Sequence, residues 1–354
     1  MAKEPAMKIK MAFLILPVVI ATVTGCDKSR ENETIQEPVV LQETFSVVTL
    51  NVDGLPKTIK ILGTAEFDVN NDGPGEEYSS VIGTYLAGKS FDFIAVQENF
   101  NYDHLLSAKL TTAYNRDSWC GGINLSKLTS MHFPTDGLNG FWKKDITASR
   151  TDSVAWIANY GKINHGWDDI INKGFRRYDL RLKGGSRIVI YNMHMDAGDV
   201  ADELSGNDIP DRHARMVQWR QLRDYILDHL DTRPVIVMGD MNSWYERDSI
   251  KPQFIDYIAG TGRATVSDIW IELEREGSYP ELTDEIVTND PGACDWTRNG
   301  ETLDKILYLN PAGGSQLRPV SVNVDSIGYV KSDGTPLGDH NPLSATFEII
   351  NSSL

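Results

Sequence analysis

Five places in this chain put a polar group capable of chemistry at the end of an apolar run. Asn51 closes Phe45–Asn51, and Glu98 follows Phe91–Gln97. His194 ends Arg187–His194, Asp240 and Asn242 follow Val235–Met238, and the Asp339-His340 step precedes Ser344–Ile350. Any one of them reads as an ordinary turn, because Gly, Asp and Asn are the usual turn residues. Five together imply a shared cleft, since ligands of open α/β sheets bind beyond the carboxyl ends of the strands. A carboxylate beside an amide can orient a water or a phosphoryl oxygen, or approach a hard cation. Glu98 after a buried strand is costly unless it is paired or binds a metal. Asp339-His340 supplies a carboxylate and a titratable base in one step. An Asp from elsewhere could fix the imidazole tautomer. Oxygen donors without cysteine favour Mg²⁺ or Mn²⁺ over Zn²⁺.

The elements that must position these groups follow from hydrophobic period. Phe45–Asn51, Phe91–Gln97, Val235–Met238, Thr302–Asn310, Val320–Val324 and Ser344–Ile350 read as strands, with Gly239 ending Val235–Met238 and Asp304 near the start of Thr302–Asn310. Phe175–Leu182 and Arg187–His194 flank Lys183-Gly184-Gly185-Ser186, a hairpin signal. Tyr78–Ala87 and residues 102–110 read as helices. Asp211–Leu230 does too, with Met216, Trp219, Leu222, Ile226 and Leu230 at three- and four-residue steps. Asp68–Gly75 lacks the frame of a calcium loop and reads as a plain loop. Residues 119–139 read as a long surface excursion.

The chain has 354 residues, is 41% hydrophobic and 24% charged, and carries a formal net charge of −16. Such an acidic body argues against sequence-independent binding to nucleic acid, which needs clustered Lys and Arg. Lys8 and Lys10 precede an apolar run from Met11 to Val23 that is too short to span a bilayer and fits a signal-peptide core. The run ends Val23-Thr24-Gly25-Cys26, which resembles the lipobox of bacterial lipoproteins; a plain secretory leader is the alternative. The expected organisation is a signal peptide over 1–26 with lipidation at Cys26, a polar tether over 27–43 and one catalytic domain over 44–354. The mature protein is expected to be an exported, membrane-anchored monomer, facing the periplasm or the cell surface. Cys120 and Cys294 remain, and spacing leaves open whether they pair.

TLNVDGLP, VQEN, NMHMDAG, GDMNS, ETLDKIL and GDHNP, in this order, resemble the motifs of the endonuclease/exonuclease/phosphatase superfamily of metal-dependent phosphoesterases, over about residues 44–350. The resemblance implies a deoxyribonuclease-I-like, four-layer α/β sandwich: two mostly antiparallel sheets packed face to face with helices outside. It implies Mg²⁺ held by Glu98, with Asn51 beside it and Asp339 near the same ion; Mn²⁺ or Co²⁺ would substitute. His340 would be the general base, held by Asp304. Asp240 would orient the attacking water or stabilise the transition state, and Asn242 and His194 would hold phosphoryl oxygens.

Within the superfamily, Asn51-Val52 followed by Leu55-Pro56, Asp136-Gly137, and Asn172-Lys173-Gly174-Phe175 resemble segments of bacterial neutral sphingomyelinases. That resemblance implies hydrolysis of sphingomyelin to ceramide and phosphocholine. Lys173 would then face a phosphate, or be a solvated loop lysine. Sphingomyelinases of this type carry an aromatic-rich hairpin before the final Asp-His; here Ile327–Leu337 offers only Tyr329. Trp119, Phe133, Phe141 and Trp142 are the alternative apolar surface, with Phe141 and Trp142 expected in the core. A secreted nuclease on the same scaffold is the runner-up, and it predicts a basic cleft built from Arg150, Lys173, Arg176, Arg177 and Arg181.

Overall fold

The computed structural model describes residues 42–61, 65–68, 73–123, 133–160, 168, 170–198, 208–280, 297–298 and 301–351. The strands, in chain order, are β1 (Gln42–Asn51), β2 (Thr58–Ile61), β3 (Ala65–Asp68), β4 (Phe93–Gln97), β5 (Tyr114–Arg116), β6 (Asn139–Lys143), β7 (Thr147–Ala155) and β8 (Gly174–Arg181). They continue with β9 (Arg187–His194), β10 (Val235–Asp240), β11 (Ala264–Asp268), β12 (Thr297–Arg298), β13 (Glu301–Thr302), β14 (Asp304–Pro311), β15 (Gln316–Val324) and β16 (Leu343–Ile350). Three helices of eight residues or more are described: α1 (Gly75–Lys89), α2 (Asp103–Leu110) and α3 (Ile209–His229).

Two six-stranded sheets carry the fold, ordered β15-β16-β1-β4-β6-β5 and β11-β14-β10-β9-β8-β7. The pairs β1–β4 and β9–β10 are parallel and the other pairs within these sheets antiparallel. Strand alternation then builds three apolar layers, because neighbouring residues point to opposite faces. Phe45, Val47, Phe93, Ala95, Ile188, Ile190, Ile236, Met238 and Ile306 fill the space between the sheets. Val48, Leu50, Ile94 and Val96 face outward onto Ile82 and Leu86 of α1 and Leu106 and Leu110 of α2. Val235, Val237, Val189 and Tyr191 face the other way onto Trp219, Leu222 and Ile226 of α3. This is the expected four-layer sandwich.

The expected strands and helices all form, with ends displaced by a few residues. One displacement matters: Gly239 does not end β10, which runs to Asp240. Gly239 has φ +149°, and a Cβ there would stand 2.0 Å from the Met193 carbonyl of parallel β9, so the requirement for glycine is close backbone approach inside the sheet. The hydrophobic strand expected after Asp136-Gly137 is β6, whereas β2, β3, β5, β7, β11, β12 and β13 were not expected. β7 is polar along its length and largely exposed, which hides it from hydrophobic period. The return leg of the 119–139 excursion is not on the surface: Phe133, Thr135, Asp136 and Leu138 are buried. Phe141 and Trp142 lie in the core as expected, whereas Phe133 joins them there and leaves only Trp119 of that apolar surface exposed. The leader, residues 27–41 of the expected tether, Cys26 and Cys294 lie outside the described residues, whereas Gln42 and Glu43, expected in the tether, begin β1 because they pair with Ile350 and Ile349 of β16.

Candidate active site

The inward rows that fill the sandwich do not end in apolar residues. One step beyond Val47, Ala95 and Ile190 stand Thr49, Gln97 and Asn192, all fully buried. Gln97 Nε2 donates to Asn192 Oδ1 at 2.7 Å and to Thr49 Oγ1 at 3.0 Å. Asn192 Nδ2 donates to the Val96 and Asn139 carbonyls at 3.1 and 3.0 Å, tying the two sheets together. One step further along the same rows are Asn51, His194, Asp240 and Asp304. Register brings them level: Asp240 pairs with His194 on one side and with Asp304 on the other.

Glu98 is out of step with its strand. Its φ of +54° breaks the alternation of β4. Gly54 makes room, since a Cβ there would meet the Glu98 carbonyl at 2.3 Å. Asn242 follows β10 with φ +45°. Non-glycine residues in this region are strained and gather at functional sites.

These side chains converge on a cavity of about 210 Å³ lined by Asn51, Glu98, His194, Asp240, Asn242, Asp339 and His340, with Ala197, Gly198, Trp244 and Leu303. Asn51 Nδ2 donates to Glu98 Oε1 and to Asp240 Oδ2, both at 3.0 Å, while its Oδ1 accepts the Asp53 backbone N–H at 2.9 Å. His194 Nε2 stands 3.4 Å from Asp240 Oδ2 and 3.8 Å from Glu98 Oε1. His340 Nδ1 is 2.7 Å from Asp304 Oδ2, and its Nε2 is 3.6 Å from Asp240 Oδ2. Asn242 turns its side-chain amide to the Met195 carbonyl at 3.3 Å. Asp339 lies at the exposed rim. The structure therefore gathers all eight residues singled out from the sequence, and places Asp304 behind His340.

Burial opposes the charge of Asp240, yet His340, His194 and the Asn51 amide outweigh it and hold that carboxyl far below the usual range. Burial, then the charge of Lys173, pushes His194 below its ordinary value, which makes it a neutral imidazole. For His340 burial works downward, but Asp304, Asp240 and Asp339 together raise it well above the ordinary value. Hard oxygen donors dominate the cavity. The ligand atoms of Asp240, Asp304 and His340 also lie within 4.8 Å of one another, close enough to hold a metal ion. That trio overlaps the expected ligand set of Glu98, Asn51 and Asp339 only in location, and His340 Nδ1 is already engaged by Asp304.

Lys173 is neither phosphate-facing nor solvated. It is buried, ion-paired with Asp168, and 3.4 Å from the Met195 carbonyl. Asp168 in turn accepts the Ala197 N–H at 2.8 Å, holding the cavity rim. Asp168, Trp244 and Leu303 were missed; Trp244 was within reach, two residues past Asn242 on the same loop. Tyr329 is buried and packs edge-on against Tyr85, so it offers nothing to a membrane. Among the described residues no helix is long and apolar enough to cross one. The basic cleft does not form either. Arg150 pairs with Asp152, Arg176 with Asp117 and Asp136, and Arg177 with Asp179. Arg181 sits at the end of β8 that pairs with Arg187, away from His194.

No protein-family model matches the chain. It is 25% identical over 338 residues to a sphingomyelinase of Mycobacterium tuberculosis, covering 94% of this chain and 57% of that protein, so the chain spans little more than half of its relative's length. Among solved structures, humanised TDP2 of D. rerio superposes with a TM-score of 0.58 at 15% identity, covering 86% of this chain and 98% of that one. An endonuclease/exonuclease/phosphatase family protein of Bacteroides thetaiotaomicron superposes with a TM-score of 0.55 at 15% identity, covering 87% and 96%. The chain thus has the fold of the endonuclease/exonuclease/phosphatase proteins, and its resemblance in sequence reaches the sphingomyelinases.

Proposed function

We propose that this chain is a divalent-cation-dependent phosphodiesterase of the sphingomyelinase type, hydrolysing sphingomyelin to ceramide and phosphocholine by in-line attack of water. One observation carries the reading: a cavity lined by Glu98, His194, Asp240, Asn242 and His340 and, among the described residues, by no Lys or Arg. An anionic phosphodiester enters such a cavity only with a cation. Glu98, with Asn51 and Asp339 beside it, would hold that ion, which we assign as Mg²⁺ with Mn²⁺ or Co²⁺ as substitutes. When bound, the ion neutralises phosphoryl charge and polarises a phosphoryl oxygen.

The chain's own residues supply the rest. Asp240, kept ionised by its neighbours, orients the attacking water. His340 Nε2 takes the water's proton while Asp304 fixes Nδ1. Neutral His194 and the Asn242 amide donate to the phosphoryl oxygens, whose charge grows in the transition state. The P–O bond to ceramide breaks, and solvent protonates the departing oxygen. A nuclease is disfavoured because the arginines that would track a phosphate backbone are spent on aspartates. We assign export and lipidation at Cys26, which would keep the enzyme at a membrane surface as a monomer.

The test offers the purified protein sphingomyelin liposomes and plasmid DNA in parallel, with Mg²⁺ or with EDTA. Phosphocholine release that EDTA abolishes is the expected result. DNA nicking without phosphocholine release would overturn the lipid assignment.

A further inference from the structure

We propose that Asn99 is a positioning residue for the cation site: it holds the Glu98 backbone in the left-handed conformation that turns the Glu98 carboxylate into the cavity. The inference rests on the reading of Glu98 as a cation ligand given above and adds the residue that makes it one.

Glu98 reaches the cavity only because its backbone leaves the strand. Side chains alternate along β4: Ile94 and Val96 face α1 and α2, whereas Phe93 and Ala95 face the space between the sheets and Gln97 meets Asn192 there. An extended Glu98 would follow Val96 onto the helical face. Its φ of +54° redirects it into the cavity, where Oε1 accepts from Asn51. A glutamate has no intrinsic preference for that region, so the conformation persists only where its surroundings impose it.

The two peptide units that follow Glu98 both run through Asn99, and each is held at both edges. In the first, the Glu98 carbonyl accepts the Gly54 N–H at 3.0 Å, and the Asn99 N–H donates to the Gly137 carbonyl at 2.8 Å. In the second, the Asn99 carbonyl accepts the Trp119 indole N–H at 2.8 Å, and the Phe100 N–H closes back on the Glu98 carbonyl at 2.7 Å, a three-residue turn centred on Asn99. The side chain then ties this turn to the body of the protein. Asn99 is buried, and its amide donates to Asp103 Oδ1 at 2.7 Å and to Asn139 Oδ1 at 2.9 Å. Asn139 donates in turn to Asp117 at 2.7 Å, and Arg176 and Tyr178 of the other sheet hold Asp117 at 2.7 and 2.6 Å. Arg176 therefore anchors the turn behind Glu98.

Cation binding, not turnover alone, decides the question. Once Asn99→Ala releases the turn, Glu98 samples the extended conformation, and apparent affinity falls by the fraction of chains still in the competent one. The full-length wild type, Glu98→Gln and Asn99→Ala are titrated with Mn²⁺ in the absence of substrate, with free Mn²⁺ read by electron paramagnetic resonance. Phosphodiester hydrolysis is then followed against Mn²⁺ concentration. Asn99→Ala should raise both the Mn²⁺ dissociation constant and the half-activating concentration by about tenfold, with a much smaller loss in kcat at saturating Mn²⁺. A purely structural role would lower the melting temperature and leave the dissociation constant of the folded protein alone. If Glu98→Gln weakens binding while Asn99→Ala stays within about twofold of wild type, the positioning role is overturned and the ligand stands. Equal binding by Glu98→Gln and wild type overturns Glu98 as the cation ligand, and the positioning role with it. Should Asn99→Ala fail to fold, Trp119→Phe removes the indole donor to the Asn99 carbonyl from an exposed position. It should weaken Mn²⁺ binding by about threefold, and an unchanged constant overturns the proposal.

Discussion

The site is a set of charges whose states are fixed by their neighbours, and its residues are best tested through those states. Glu98→Gln keeps the shape and the Asn51 contact but removes the charge that a cation needs. Metal-dependent turnover should fall by at least about 10³-fold, with the melting temperature within a few degrees; near-full activity would remove Glu98 from the site. His340 owes its raised pKa to Asp304, Asp240 and Asp339 acting against burial. As a base it works only when deprotonated, so activity rises with pH through its pKa. Asp304→Asn removes one of the three charges, lowers that pKa and frees the tautomer. The acidic limb of kcat/KM against pH should move to lower pH while kcat drops about 10²–10⁴-fold. A limb that stays in place would assign it to another group. Asp196, next to the cavity rim, behaves in the opposite sense. Burial and then Asp168 push its carboxyl up to about 9. The folded chain holds that proton up to about pH 9 while the unfolded chain releases it near the ordinary Asp value. Stability therefore falls as pH rises across this window and levels off above it. The melting temperature of Asp196→Asn, compared with wild type, should gain on it steadily from pH 5 to 9; a constant gap would contradict the assignment.

At the scale of elements, the spacing between the two halves of the site depends on the polar layer beneath it. Gln97 precedes Glu98 directly, and Asn192 lies two residues before His194 on the same face. Asn192→Ala takes the side-chain donor from the Val96 and Asn139 carbonyls and one of two acceptors from the Gln97 amide, which keeps Thr49. Each such buried loss costs about 1–3 kcal/mol, so a total of several kcal/mol is expected in a denaturant melt. A loss under about 1 kcal/mol would mean that water replaces the amide. Gly239→Ala tests the sheet from the other side, since its Cβ would strike the Met193 carbonyl. Either β10 leaves β9, or Asp240 shifts relative to His194. Stability should fall by about 3 kcal/mol or more, and activity with it.

At the scale of the molecule, basic side chains expected to line a cleft are compensated locally. Arg150, Lys173, Arg176 and Arg177 each meet an aspartate, three of the four in buried positions. A phosphate backbone that neutralises few lysines and arginines binds weakly and loses that binding in salt. Retention on DNA should therefore vanish by about 150 mM salt; binding that persists there would favour the nuclease. The sequence by itself determined the strand rows, the glycine-bounded motifs and the residue types at the strand ends. Those depend on local period and turn chemistry, which neighbours in the chain decide. That is why Asn51, Glu98, His194, Asp240, Asn242, Asp339 and His340 were legible before their contacts were, whereas the pairing of Asp304 with His340 came only from the family resemblance. The polar strand β7 was illegible because it lacks an apolar row to reveal it. The tertiary structure alone decided that Lys173 is sealed on Asp168, that Tyr329 and Phe133 belong to the core, that the arginines are spent, and that Trp244 borders the cavity. Each of these depends on which residue distant in sequence comes within a few ångströms, and pairing across two sheets sets that, not the chain's local pattern.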